Sequence, residues 1–548
     1  MARLRIGDLL LAKKLINETQ IQIVLTQQKI TGELVGDLFV KLGFLTSEEL
    51  GITLAEQAGM EYIDLRRYPI TEEALKLIPR DVAESTGFIP IDLVDGVLRI
   101  GVTNPSNIIA IDKVISLTKT QPKIFMVDPD NFRESMDKGY FFLENPIQQS
   151  RDKIINEIKI SGTALGTALV SLTDLIFMDG IRQQATDIHI TPAPDIIHVF
   201  FRIDGVLRYG HGIPKTVHAG IVSRIKILSK LDIAEARLPQ DGSFTYEFLN
   251  KKYDIRVSTV PTIFGENVVM RILAGTGALM RINSLGFDES GTKQIRRLFQ
   301  KPYGVILIAG PTGSGKTTTL YAALREINRL ERNIITVEDP VEYKLSMIRQ
   351  TQVNEKAGYD FAFAARNFMR QDPDVMLIGE IRDEETAAIA IRTSITGHLV
   401  LSTIHTNDAV TTIPRLLDLK VDKYLLSSSL LAIIAQRLAR KICPFCKTAH
   451  MLNDEEKQLF QDNGLSLEQA FTGAGCNKCN GIGYSGRIVI GEILIIDDEI
   501  RDLIYADVPI TAIRATAVKK GMVTLQKDGL KKVAQGLTSL DELIRVVG

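Results

Sequence analysis

Val305-Ile306-Leu307-Ile308-Ala309-Gly310-Pro311-Thr312-Gly313-Ser314-Gly315-Lys316-Thr317-Thr318 joins an unbroken apolar run to a glycine-rich loop of the form G-x-x-x-x-G-K-[ST]. Apolar residues without alternation read as a strand buried on both faces, and helix-forming sequence from Thr318 to Leu330 follows the loop. Strand, loop and helix in that order are the context the motif requires. Gly310, Gly313 and Gly315 let the backbone turn successive N–H groups onto phosphate oxygens at a helix N-terminus, where the dipole also favours anions. Lys316 is expected to bridge the β- and γ-phosphates and Thr317 to hold Mg²⁺, so Gly310 to Thr318 form the predicted ATP–Mg²⁺ site. A glycine-rich turn that binds nothing would need neither Lys316 nor Thr317.

Downstream, further strand-like runs at Asn333 to Val337, Val375 to Ile378 and Leu399 to Thr403 alternate with helical segments. That rhythm predicts an α/β domain whose mainly parallel sheet is covered on both faces. Asp374-Val-Met-Leu-Ile-Gly-Glu380 is an apolar run ending in an acid, as a metal-facing Walker B strand requires. Because Glu380 is one methylene longer than Asp, it is expected to act through a metal-bound water. Thr336-Val337-Glu338-Asp339-Pro340-Val341-Glu342 is a strand followed by acids on a proline turn, one of which is expected to polarise the attacking water.

Toward the N-terminus, residues 5–28 and 34–57 repeat, with Gly7/Gly36, Asp8/Asp37, Leu9/Leu38, Ile23/Ile52, Leu25/Leu54 and Gln28/Gln57 identical. Each copy reads as a turn and two short helices, and Thr46-Ser47-Glu48-Glu49 marks a helix start. Phe88 to Leu93 and Leu98 to Val102 then read as strands, broken by Asp95-Gly96 and Asn104-Pro105. Asn145 to Gly162 is polar enough for a linker, while Ile154, Ile155, Ile158 and Ile160 would equally make it an amphipathic helix. Asp187 to Leu207 and Tyr253 to Leu273 alternate apolar and polar residues around helical sequence at Thr216 to Leu231, a second α/β domain. The domain reading is 1–60 helical repeat, 61–145 small α/β subdomain, 146–165 linker, 166–285 second N-terminal α/β domain and 286–548 P-loop domain.

The chain has 548 residues, 45% hydrophobic and 24% charged, too long for one core. A formal net charge of −1 and the lack of a basic aromatic stretch argue against nucleic acid as a partner. The apolar runs fall well short of the roughly 18 residues that cross a bilayer, and the N-terminus lacks the pattern of a secretory signal, so a cytoplasmic protein without a membrane span is expected. All four cysteines sit in two knuckles, Cys443-Pro-Phe-Cys446 and Cys476-Asn-Lys-Cys479. Four thiolates close a tetrahedral Zn²⁺ shell with no place for water, which predicts a structural zinc element over 440–485 bearing a helical insert; a redox pair is the alternative.

On these motifs the chain resembles the type II secretion and type IV pilus assembly ATPases, the GspE/PilB family, colinearly over most of its length. The resemblance implies a P-loop (RecA-like) ATPase core with a preceding α/β domain, a helical and α+β N-terminal region and a zinc-bound C-terminal insert. Glu338-Asp-Pro-Val-Glu342 is similar to the family's Asp box, with Glu338 at the nucleotide and Glu342 as catalytic base. Gly397-His398-Leu-Val-Leu-Ser-Thr403-Ile-His405-Thr-Asn407 is similar to its His box, in which His398 and His405 sense the γ-phosphate. Ala185-Thr-Asp-Ile-His-Ile190, Phe201-Arg-Ile-Asp-Gly-Val206 and Leu238-Pro-Gln-Asp-Gly242 are family landmarks. Arg256 and Arg271 resemble the arginines that reach the nucleotide from a mobile domain. The family further implies a homohexamer, peripheral to the inner membrane, that drives a membrane platform protein and docks on a cytoplasmic membrane-associated adaptor. Assembly of type IV pili is the leading expectation and type II secretion the alternative. Retraction motors generally lack the N-terminal region and the tetracysteine element.

The repeat itself resembles a cyclic di-GMP-binding N-domain, the MshEN type, whose copies begin Arg-Leu-Gly. The first copy keeps Arg5, Gly7, Leu25 and Gln28 but has Lys14 where a glycine is typical; the second keeps Gly36, Gly43, Leu54 and Gln57 but has Leu34 in place of the arginine. Leucine can neither stack as a cation on guanine nor pair with a phosphate. Cyclic dinucleotide binding and a plain helical adaptor both fit this pattern.

Overall fold

In the computed structural model, which describes residues 5–66, 68, 70–104, 108–161, 166–274, 281–327 and 330–548, the chain forms two compact units, Met1–Gly277 and Ala278–Gly548. The apolar run preceding the P-loop is strand Gly304–Ala309 of a seven-stranded sheet in the second unit. The sheet order is Arg349–Gln352, Ile334–Glu338, Val375–Ile378, Leu399–Ile404, Gly304–Ala309, Leu430–Ile442 and Tyr484–Ile495. All pairs are parallel except the last.

Unbroken hydrophobicity in these strands has a direct structural meaning, because both faces are covered. Val305, Leu307 and Ala309 enter one core with Ala364, Phe368, Ala387 and Ile391 of helices Phe361–Phe368 and Glu384–Ile395. Ile306 and Ile308 enter the other with Leu320, Ala323 and Leu324 of helix Lys316–Glu326. Residues 328–329 of the expected Thr318 to Leu330 helix lie outside the described residues.

The first unit holds two sheets. Strands Val206–Pro214, Ile196–Ile203, Asp187–Pro192, Gly265–Ala274, Lys251–Thr262 and Gln240–Phe248 form an antiparallel sheet in that order. One face carries Ile188, Ile190, Val199, Phe201, Ile255, Val257 and Val268, packed with helices Gly166–Arg182 and His218–Leu228. The other face is solvent-facing and largely polar, with Asp187, His189, Arg256, Ser258 and Arg271 beside an aromatic cluster of His198, Phe200 and Tyr209, which explains the alternation in the sequence. The stretch read as a linker over 146–165 is a helix, Ile147–Ser161, in its described part. Ile154, Ile155 and Ile158 lie close to one another on a helical turn and pack on this same core, so burial decides for helix against linker. Gly162, and Pro105 of the expected Asn104-Pro105 break, lie outside the described residues.

The repeat folds as helices Ile6–Ala12, Glu18–Thr31, Val35–Lys41 and Ser47–Ala58, two per copy. Asn17 with Gln20 and Thr46 with Glu49 close reciprocal capping boxes at equivalent places. A mixed sheet follows, in the order Glu61–Tyr62, Lys123–Met126, Val97–Val102, Phe88–Val94. Between the cysteine knuckles, the expected helical insert contains helix Asp454–Asp462 and also an antiparallel ribbon, Lys447–Met451 with Gln469–Gly473.

The chain leaves the first helix of each repeat copy in a left-handed turn. Gly43 adopts φ 69° in the second copy and Lys14 adopts φ 56° in the first, where a side chain is strained. Lys14→Gly is therefore expected to stabilise the repeat by on the order of 0.5–1 kcal/mol, read as slower amide exchange in helices Ile6–Ala12 and Glu18–Thr31. Unchanged or faster exchange would contradict the strain argument.

Candidate active site

Parallel pairing aligns Gly304 with Leu399 and Ala309 with Ile404, so the P-loop and the segment carrying His405 leave the sheet at the same edge. Lys316 donates from Nζ to the carbonyls of Gly310 at 2.9 Å and Pro311 at 3.1 Å, folding back over its own loop. Burial pulls its ammonium down to about 8, against the pull of Glu380 and together with the cation of Arg437. Glu380 follows strand Val375–Ile378, forms an ion pair with Arg382, and lies 3.5 Å from His405 Nε2. Burial first, then Lys316, push the His405 imidazole below its ordinary value. Lys316, Glu380 and His405 thus form one electrostatic cluster at the mouth of the loop.

One residue outside the motifs shapes that loop. Gln436, fully buried on strand Leu430–Ile442, donates from Nε2 to the carbonyl of Ser314 at 2.8 Å and accepts from the Thr319 hydroxyl at 2.8 Å. A Cβ on Gly310 would lie 2.6 Å from the Gln436 carbonyl oxygen and 2.5 Å from Ser314 Oγ, so the close approach requires glycine there. Arg437 donates to Asn407 at 3.3 Å, Arg514 pairs with Asp408 at 2.8 Å, and buried Glu492 accepts the Ala409 amide at 3.0 Å. The segment after His405 is held from three sides.

His398 does not join this cluster. It precedes the strand that His405 follows, Leu399–Ile404, and six residues at about 3.3 Å each put the two imidazoles at opposite edges of the sheet. Its Nδ1 lies 3.0 Å from both the Thr393 carbonyl and the Thr396 hydroxyl. The shared His-box motif hid this separation. Glu338 is likewise placed differently from the expectation of nucleotide contact. It is buried at the end of its strand, where its carboxylate accepts from Tyr321 at 2.5 Å, Thr336 at 2.6 Å and Gln350 at 3.2 Å. Glu342 lies half-buried on the following turn.

Residues 165–545 match the family model of the Type II/IV secretion system protein. The chain belongs to that family. It is 37% identical to the Type IV pilus assembly ATPase PilB of Myxococcus xanthus over 98% of each chain. It is also 37% identical to the Type II secretion system protein E of Xanthomonas campestris, over 100% of this chain and 98% of that one. The Legionella pneumophila ATPase DotB shares its fold, with a TM-score of 0.51 at 19% identity over 68% of this chain and 94% of that one. An MshEN domain model matches residues 58–140, which follow the helical repeat. Family membership makes the chain an ATPase and implies nucleotide and Mg²⁺ as its ligands.

In this Type II/IV secretion ATPase, Arg256 and Arg271 sit directly opposite each other on neighbouring strands of the first unit, on its solvent face. Arg271 Nε donates to Asp187 at 2.9 Å, and Arg202 lies 3.4 Å from the same carboxylate. The four cysteine Sγ atoms lie within 4.8 Å of one another, with close pairs at 3.7, 3.8 and 4.0 Å. A tetrahedral shell with Zn–S of about 2.3 Å has S–S edges of about 3.8 Å, so the cage fits zinc and is far too wide for disulfides. Amides of Cys476 and Gly483 both donate to Cys479 Sγ at 3.2 Å, contacts that favour its thiolate.

Neither Gln436 nor Tyr321 stood out in the sequence. A lone amide at the end of the apolar run Leu430 to Ala435 is the signal that could have flagged Gln436. Gln436→Met keeps the volume but leaves the Ser314 carbonyl and the Thr319 hydroxyl unpaired. The Kd of a fluorescent ADP analogue should rise about tenfold with Lys316 intact; an unchanged Kd would mean that the loop holds its shape unaided.

Proposed function

We propose that the chain is the cytoplasmic assembly motor of a type IV pilus, working as a homohexamer that turns ATP hydrolysis into movement of an inner-membrane platform protein. The observation that carries the motor chemistry is the convergence of Lys316, Glu380 and His405 on the edge of the sheet from which the P-loop leaves. Gly310 to Thr318 cradle the phosphates with backbone amides, and Lys316 lends its cation to the transferring group. The exposed Thr317 hydroxyl and the Glu380 carboxylate are hard oxygen donors that suit Mg²⁺, Glu380 through a water. The ion supplies charge neutralisation along the phosphates. Glu342 accepts the proton of the attacking water, and His405 senses the γ-phosphate beside Glu380. Arg256 and Arg271 reach the nucleotide when the first unit closes, which links its movement to turnover.

The tetracysteine cage holds Zn²⁺ as a fold element of the C-terminal region. In the N-terminal repeat, Arg5 and the Leu34 substitution point to a cyclic di-GMP site reduced to one arginine, with adaptor docking as the other role. The likeness to the Myxococcus PilB supports pilus assembly, and the equally extended likeness to the Xanthomonas protein supports secretion as the second reading. Gene deletion separates them: loss of surface pili with normal culture-supernatant enzymes favours assembly, and the reverse favours secretion.

Lys316→Ala should abolish ATP turnover, and Glu342→Gln should keep ATP binding while slowing hydrolysis by about 10²-fold or more. Steady-state phosphate release with either variant at near-normal rates would remove the corresponding role. For the cage, elemental analysis of chain purified without chelators should find one zinc per chain, and Cys443→Ser with Cys476→Ser should lose it. A metal-free, fully active preparation would leave the cysteines without a metal role.

A further inference from the structure

Tyr321 lies in the P-loop helix, five residues after Lys316, with only 3% of its surface exposed among Leu320, Ala322 and Leu324. A phenol in that setting needs a partner for its hydroxyl. It has partners of two kinds. The O–H donates to Glu338 at 2.5 Å, and the oxygen accepts the consecutive amides of Glu342 at 3.2 Å and Tyr343 at 3.3 Å. Burial, reinforced by the hydrogen bond to Glu338, raises the phenol above its ordinary value, so it stays a donor at any working pH. Glu338 is fixed in turn by Thr336 and Gln350. The rings of Tyr321 and Tyr343 meet edge to face at 5.6 Å.

A single oxygen therefore joins the helix that carries Lys316 to the turn that carries Glu342. Packing alone would be served by phenylalanine; the hydroxyl is what ties buried Glu338 and the Gln350 amide to the turn. We propose that Tyr321 is a positioning residue that sets the reach of the Glu342 carboxylate toward the attacking water, with buried Glu338 orienting the phenol. The proposal rests on the reading of Glu342 as base. Misplacing a base by a fraction of an ångström to an ångström lowers the rate of the chemical step without touching the groups that bind the phosphates. The effect thus falls on kcat.

The test uses the full-length protein with Mg²⁺–ATP. Tyr321→Phe keeps both ring contacts and should lower kcat about tenfold or more, with KM and the Kd of a fluorescent ADP analogue within about twofold of the parent. Added to Glu342→Gln, it should change the residual rate little, because two residues acting through one carboxylate are not additive. Glu338→Asp, which withdraws the acceptor by one methylene, should show the same kcat-specific loss on a smaller scale. Normal kcat in Tyr321→Phe overturns the proposal. So does an equal further loss in the Glu342→Gln background, or a parallel collapse of nucleotide binding, the mark of a purely structural role. Should Tyr321→Phe fail to fold, normal kcat in Glu338→Asp overturns it. Near-normal turnover of Glu342→Gln alone is a different failure, that of the base reading itself.

Discussion

A parallel sheet places the carboxyl ends of its strands along one edge, and this constraint organises the whole site. Strand Gly304–Ala309 runs between Leu399–Ile404 and Leu430–Ile442 in parallel register, so the loop it feeds, His405 and Gln436 all lie at the same edge. Glu380 arrives there because Val375–Ile378 pairs with Leu399–Ile404 in the same direction. The register rests on two apolar cores that take alternate residues of the same strand, Val305 and Leu307 on one side, Ile306 and Ile308 on the other. A slip of one residue would exchange those two sets and withdraw the loop from its partners at once.

What was legible in the sequence follows from how local each signal is. The P-loop declares itself within its own octet, and the doubly buried strands declare themselves by unbroken hydrophobicity. The cysteine knuckles do the same by spacing, and the exposed face of the first-unit sheet by alternation from Tyr253 to Leu273. Gln436 and Tyr321 could not be read because their meaning lies in a partner more than ten residues away, Ser314 for one and Glu338 for the other. His398 misled for a related reason. Two histidines in one motif suggest one site, yet a strand separates them, and only the sheet direction tells which end faces the phosphates. Ile147–Ser161 turned on burial: its polar residues read as linker until Ile154, Ile155 and Ile158 are given a core to pack against.

The arginine pair on the sheet of the first unit is held loosely. Arg271 is more than half exposed, and its ion pair with Asp187 is of the kind worth at most about 1 kcal/mol in water. Asp187 has Arg202 as a second partner, so its charge does not depend on Arg271 alone. Arg256, directly opposite Arg271, adds a second charge that repels it across the strands.

Strand Leu430–Ile442 carries Gln436 against the P-loop, and Cys443 follows its last residue, so the cysteine cage and the phosphate loop share one piece of backbone roughly seven residues long, or about 23 Å. Between them lies Arg440, whose side chain and amide are both held by the fully buried Glu542. Burial opposes ionisation of that carboxyl, but hydrogen bonds from Arg545 and Arg440 outweigh it and hold it down at about 2. The Arg440 carbonyl is tied to Thr538 at 2.8 Å, and the Ile442 amide to Leu537 at 2.9 Å. Disorder spreading from Cys443 must break this charged clamp before it reaches Gln436. A buried, fully paired carboxylate is costly to break, since removing one partner strands a charge. The clamp thus makes the tetracysteine element a local fold element whose influence on the phosphate loop is damped by the strand it shares with it.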